Sequence, residues 1–377
     1  MSRSKRHVVV AACAGLSLLA GCSGGSTVDD DVDGAGGSGP TKVSAGYVSA
    51  IDQIGLPVGV EAGYFDEQNL NVKLAEPYAT GVDALNALQA GEVDFVQVGT
   101  PAIAAAQKGI DLVLVGNYTG SATQRSIDET MAVVAGPGTG VDANDLKTLK
   151  GKRIGVSEGS INHLYLLGLL KKAGLGTSDV SIVNTEPPDL AVALKTGGID
   201  VAIVWDPYPI TALKQVEGAK EVLRGGGYIP FVGYLATTRA FAEKHPDVVG
   251  RFLTARAQSD QWMRENPDDA ADSATRWLPG TDKAVAEEAM KHNVKQLDPR
   301  FSACNYLALD TLAQLLAEQG KVKPGFDVNK YFTPAPILKV MGESPDLFKD
   351  LPPVPSAAAI ETGYTFDRAT AEKACPS

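Results

Sequence analysis

A segment of this chain repeats itself at an offset of 106 residues, and that repeat restricts the fold more than any other feature. Ala87-Leu88 leads through Gly91, Val93-Asp94-Phe95 and Val98 to Pro101, and the series returns as Ala193-Leu194, Gly197, Ile199-Asp200-Val201, Val204 and Pro207. Each copy reads as the end of an amphipathic helix, a glycine stop, a short apolar strand and a turn closed by proline. Upstream the parallel continues with small register shifts. Residues 71–74 (NVKL) correspond to 179–182 (DVSI), and both run into Glu-Pro, at Glu76-Pro77 and Glu186-Pro187. Residues 46–49 correspond to 155–158, and Ala62-Gly63 to Ala173-Gly174. Two β-α-β-α-β units predict an α/β protein of two lobes, each a mostly parallel sheet flanked by helices. Residues 131–135 and 234–237 read as the strands that cross between lobes. The layout is then lobe I over 41–135, lobe II over 136–235, a helical return into lobe I over 236–345, and an extended tail over 346–377. Trp262 and Trp277, in the helical return, are expected in the core.

Ahead of the body, Arg3, Lys5 and Arg6 precede an almost wholly apolar run from Val8 to Ala20 that ends in Leu19-Ala20-Gly21-Cys22. This is the layout of a secretory signal, too short to cross a bilayer as a helix. A cysteine after Leu-Ala-Gly resembles the bacterial lipoprotein processing box, which implies cleavage after residue 21 and a lipid on Cys22. The plainer alternative is a signal peptide with an incidental cysteine. Residues 22–40, rich in glycine, serine and aspartate, read as a flexible linker spanning on the order of 20 Å. With Cys13 lost and Cys22 lipidated, Cys304 and Cys375 remain. They form either one disulfide fastening the tail or two free thiols, and an oxidising compartment favours the disulfide.

Removal of the three leader cations takes the formal charge from -11 to -14. Such an acidic body argues against nucleic acid and against a surface held by anionic headgroups. Cysteine and histidine spacing offers no metal motif, so neither metal nor cofactor is expected. The expectation is an extracytoplasmic monomer tied to the bacterial membrane through its N-terminal lipid.

Ligands of open parallel sheets bind at the carboxyl ends of strands. The repeat nominates six such loops: 49–54, 76–81, 99–102, 157–163, 185–189 and 205–208. Thr100 with Gly99, Ser160 with Gly159, and Ser49 with Gln53 suit an oxyanion at a helix N-terminus. The loops contain no arginine or lysine, and His163 is their one potential cation. Yet they hold Asp52, Glu76, Glu158, Glu186, Asp189 and Asp206. A zwitterion reconciles the two sets, its acid group on helix ends and its ammonium on a carboxylate, with Asp206 and Glu186 the leading candidates. Solvated or helix-capping carboxylates are the alternative. Trp205 and Tyr208 either wall the pocket or pack between the lobes.

Gly151-Lys152-Arg153-Ile154-Gly155-Val156, Gly159-Ser160 with His163-Leu164-Tyr165-Leu166-Leu167, Glu186-Pro187-Pro188 and Val204-Trp205-Asp206-Pro207 together resemble the taurine- and aliphatic-sulfonate-binding proteins of ABC importers. The likeness covers roughly residues 43–248. It implies a type II periplasmic-binding-protein-like fold, hinged by two crossover strands, that closes on its ligand and delivers it to a membrane permease. The implied ligand is a small oxyanion-bearing molecule, taurine or a related sulfonate, with nitrate, a thiamine precursor or an aromatic carboxylate as alternatives. By the same resemblance the binding positions fall on Gln53, Thr100, Ser160, His163, Glu186 and Trp205.

One rival needs an answer. Gly155-Val156-Ser157-Glu158-Gly159 is a literal G-x-S-x-G between a strand and a helix, the context of a hydrolase nucleophile elbow. A triad needs a later histidine on an exposed loop. His245 precedes Pro246 at a helix start, His292 lies within a helical stretch, and His163 follows Ser157 too closely. A Ser157 esterase is therefore the lesser reading, and binding without catalysis is expected.

Overall fold

The computed structural model describes residues 39–125 and 128–376. The leader, Cys22 and most of the linker lie outside them. Ten strands form two five-stranded sheets. The first contains β1 (Thr41–Gly46), β2 (Leu70–Leu74), β3 (Phe95–Val98) and β4 (Leu112–Thr119). The second contains β5 (Met131–Ala135), β6 (Arg153–Val156), β7 (Ser181–Asn184), β8 (Val201–Trp205) and β9 (Lys220–Arg224). The chain then returns as β10 (Gly233–Thr238) to the first sheet. The orders are β2-β1-β3-β10-β4 and β7-β6-β8-β5-β9, the same topology twice, with β10 and β5 antiparallel to their neighbours.

Strand pairing reproduces the offsets of the repeat. Ala45 lies opposite Leu74 and Phe95, and Ile154 lies opposite Ile182 and Val201. Leu74 to Ile182 is the shift of the NVKL/DVSI match, and Phe95 to Val201 is the 106-residue shift. The central strands β5 and β8 are buried along their whole length, as continuous apolar runs must be when helices cover both faces. The edge strand β2 instead exposes Asn71 and Lys73. The glycine stops behave as the repeat requires. Gly91 (φ 73°) and Gly197 (φ 70°) both adopt the left-handed conformation that ends a helix with least strain. Behind the first sheet, Phe252 from the helix Pro246–Glu265 stacks on Phe95 at 4.0 Å.

Three expectations shift. β5 belongs to the second sheet and β10 to the first, so the crossings fall before residues 131 and 233 rather than at 135 and 235. Trp262 and Trp277 are half-buried, packed against the core rather than within it. The tail is also not extended throughout. Pro345–Phe348 makes a 3-10 turn and Arg368–Ala374 a helix, because Asp367 caps the Thr370 amide at 2.9 Å and Arg368 pairs with Glu372 at 2.8 Å.

Cys375, at the end of that helix, is bonded to Cys304 with the Cα atoms 5.5 Å apart. Arg125, on the first crossing between sheets, donates to the carbonyls of Cys375 and Glu372 at 2.7 and 2.8 Å. Closing a loop across a separation of 71 residues restrains the unfolded chain. The Cys304→Ala/Cys375→Ala double variant is therefore expected to lose about 2–4 kcal/mol in urea unfolding. An unchanged midpoint would show that the crosslink contributes nothing.

Candidate functional site

The carboxyl ends of the parallel strands in both sheets face one cleft, and the two halves meet across it. The Ile51 amide donates to the Asp206 carbonyl at 3.0 Å, and Trp205 Nε1 donates to the Ser49 carbonyl at 3.4 Å. Between them lies a cavity with about 420 Å³ of atom-free space, its mouth included. Val48, Ala50, Trp205, Phe231 and Val232 form its apolar wall. Gly81, Gly99-Pro101 and Ser160-Ile161, at the starts of three helices, bring backbone to it. Asp52, Gln53 and Tyr118 supply polar side chains.

The helices differ in how their first turns are closed. Thr238, Asp282, Ser302 and Asp367 each cap a helix remote from the cavity wall with their own side chains. At the cavity, Thr80 closes the helix Gly81–Ala90 through a capping box with Asp83. Ser160, in contrast, stands at the N-cap of the thirteen-residue helix Ile161–Ala173 and makes no capping hydrogen bond. Its hydroxyl and the Ile161 and Asn162 amides therefore remain available where the helix dipole is positive, while the His163 amide donates to Asn162 Oδ1 at 2.9 Å. An oxyanion satisfies both.

The other predicted residues divide. Gln53 lines the cavity but works internally: its Oε1 accepts from the Val48 amide at 2.6 Å and its Nε2 donates to the Tyr118 hydroxyl at 3.0 Å. Because Tyr118 accepts that bond, its own hydrogen is free to donate onward. Thr100 is buried between two wall residues, and its Oγ1 has no partner. His163 lies one turn into the helix from Ser160, outside the wall. Its Nδ1 accepts from the Gly159 amide at 3.1 Å, which puts the proton of the neutral ring on Nε2, a buried donor without a partner. Burial, then the Lys321 charge, lowers its pKa and keeps the ring neutral. Trp205 is in the wall as expected. Tyr208 is half-buried and bonds Ser49 between the halves, so packing is its observed role. Glu186 is half-exposed outside the wall; burial and the nearby Asp83 and Asp189 raise its pKa.

Asp206 departs from expectation. It is fully buried, and its Oδ2 takes Arg224 at 2.7 Å and His292 Nδ1 at 2.7 Å. It joins the second sheet to the helix Lys283–Asn293 and is not among the cavity-lining residues, while its Oδ1 is buried without a partner. Ser157, the esterase candidate, donates to the Thr185 carbonyl at 3.3 Å. Among the described residues no cluster of three His, Cys, Asp or Glu side chains is arranged to hold a metal.

The repeat did not expose Tyr118, Phe231 or Val232, because they sit at β4 and before β10 rather than in β-α loops. The polar run Asn117-Tyr118-Thr119 closing an apolar strand was the available signal. Beneath the site lies a charged layer that was also missed. Arg256 donates to Gln97 Oε1 at 3.2 Å, and Gln97 Nε2 donates to the Gln53 carbonyl at 2.6 Å. Arg256 also pairs with Asp260 one turn later, both side chains with no exposure.

Two sheets of one topology, closing a cavity between their carboxyl ends, define the periplasmic-binding-protein fold. The alkanesulfonate-binding protein SsuA of Xanthomonas axonopodis pv. citri, solved with MOPS bound, superimposes with TM-score 0.69 at 22% identity, covering 79% of this chain and 100% of that one. The chain belongs to the NMT1/THI5-like family, whose profile matches residues 50–270. A Bacillus subtilis (strain 168) protein assigned to aliphatic sulfonate binding is 30% identical over 287 residues, 74% of this chain and 80% of its own length. The taurine-binding periplasmic protein of Escherichia coli (strain K12) is 29% identical over 277 residues, 68% of this chain and 81% of its own length.

Proposed function

We propose that this protein is the extracytoplasmic solute-binding component of an ABC importer, capturing a small sulfonate and presenting it to a membrane permease. The observation that carries this reading is the uncapped start of the helix Ile161–Ala173 at the cavity between the two halves. Ser160, the first helical amides and the Tyr118 hydroxyl offer donors without a full positive charge, which suits a weakly basic oxyanion. The similarity to taurine- and sulfonate-binding proteins agrees with it. The ligand bridges both halves and shifts an open–closed equilibrium by its preference for the closed form. Binding without catalysis is part of this reading, and it is supported by Ser157 donating to the Thr185 carbonyl at 3.3 Å rather than to a histidine. In this reading the chain acts as a monomer, and a lipid on Cys22 holds it beside its permease.

Thermal-shift screening of the purified protein tests the proposal. Taurine or an alkanesulfonate at about 100 times its dissociation constant is expected to add about 2.7 kcal/mol. Nitrate, thiamine precursors and aromatic acids serve as competitors for the assignment. Silence toward every anion, with a response to a neutral or cationic compound, would overturn it.

A further inference from the structure

With Asp206 taken up by Arg224 and His292, the cavity still contains one carboxylate. Asp52 is 4% exposed, lies in the cavity wall, and makes no ion pair among the described residues. Its hydrogen bonding is confined to its own backbone amide. The charges around it are committed elsewhere. Arg256, beneath, pairs with Asp260, and Asp206, in the loop after β8, is held by Arg224 of β9. The helix Lys283–Asn293, packed on the same segment, turns His292 Nδ1 toward Asp206. β4 contributes the Tyr118 hydroxyl, already accepting from Gln53. An isolated carboxylate in such a place is expensive and calls for either a proton or a cation.

We propose that Asp52 receives a cationic group of the ligand, so that the site prefers zwitterionic aminosulfonates to plain alkanesulfonates. This rests on the sulfonate reading of the same cavity and deepens it. The two ends of the ligand then meet opposite chemistry: the sulfonate meets the open helix start at Ser160, and the ammonium meets Asp52. Asp52 takes the role that sequence gave to Asp206.

The proposal has a thermodynamic signature. Burial foremost, then the charge of Asp206, pushes the Asp52 carboxyl up to about 7 against the pull of Arg256. In the ligand-free protein Asp52 is therefore largely protonated at pH 6, and an arriving ammonium displaces that proton to solvent. Taurine affinity is expected to rise about tenfold from pH 6 to pH 8, with close to one proton released per ligand at pH 6. Burial, then the Lys321 charge, lowers the His163 pKa and so favours its neutral ring.

Calorimetry of the purified protein, in pairs of buffers with different ionisation enthalpies, reads the proton directly for taurine and for ethanesulfonate. Asp52→Asn is expected to weaken taurine by at least about 30-fold, to strengthen ethanesulfonate by removing a repulsion, and to abolish the proton release. Proton release by the unaltered protein keeps the test decisive if the variant folds poorly. Equal response of both ligands to Asp52→Asn, or taurine affinity that falls as pH rises, overturns this assignment and leaves the sulfonate reading intact. Failure of the unaltered protein to bind either compound overturns both.

Discussion

Arg256→Met is expected to destabilise the protein by about 3–5 kcal/mol, because it strands Asp260 as an unpaired charge in a fully buried position. The loss extends past the pair. Arg256 also donates to Gln97 Oε1 and, at 3.4 Å, to the Tyr118 carbonyl, so its removal loosens the layer on which Gln53 and Tyr118 stand. Ligand affinity should fall together with stability. The double variant Arg256→Met/Asp260→Leu should recover much of the stability, since a buried pair replaced by apolar side chains is tolerated far better than half a pair.

The same variant should show a pH dependence of definite sign. Burial already raises the Asp260 carboxyl to about 6, and the Arg256 charge is the largest influence holding it down. Without Arg256 its folded-state value rises further above the unfolded one. A carboxyl raised on folding contributes stability at low pH and loses it as pH climbs through the folded-state value. The deficit of Arg256→Met should therefore be smaller at pH 5 than at pH 8 in urea unfolding. Equal deficits at both would show that the variant fails through packing rather than charge.

What could be read from the sequence, and what could not, follows from how each kind of information is stored. The fold was written in local periodicity, duplicated at 106 residues, and the pairing of Ala45 and Ile154 returns the same offsets. Strand ends and helix starts come with that pattern, so Ser160, Gln53 and Trp205 could be placed in the cavity wall. The allocation of carboxylates could not be read. Asp206 is claimed by Arg224 and His292, the latter 86 residues later in the chain, and no local signal announces such a partner. Asp52 stands free for the converse reason: nothing distant reaches it. Tyr118 escaped because its strand lies outside the β-α repeat units, and Arg256 because a helical arginine is ordinarily solvated rather than fully buried.

The uncapped helix at the cleft leads to the expected result that most directly joins stability to function. Ser160→Asp places a carboxylate at the N-cap of the helix Ile161–Ala173, where the present serine makes no cap. A capping carboxylate satisfies free amides and complements the dipole, so the ligand-free variant should unfold at or above the original midpoint, by up to about 1 kcal/mol. It would do so by occupying the position the oxyanion needs, and by adding a like charge. Sulfonate affinity should drop by at least about 100-fold, corresponding to roughly 3 kcal/mol or more. Ser160→Ala removes one donor and adds no charge, so its loss should be smaller, about 10-fold. Stability and affinity would then move in opposite directions from one substitution, which a merely structural serine cannot produce. Retained affinity in Ser160→Asp, read by calorimetry, would place the anion elsewhere.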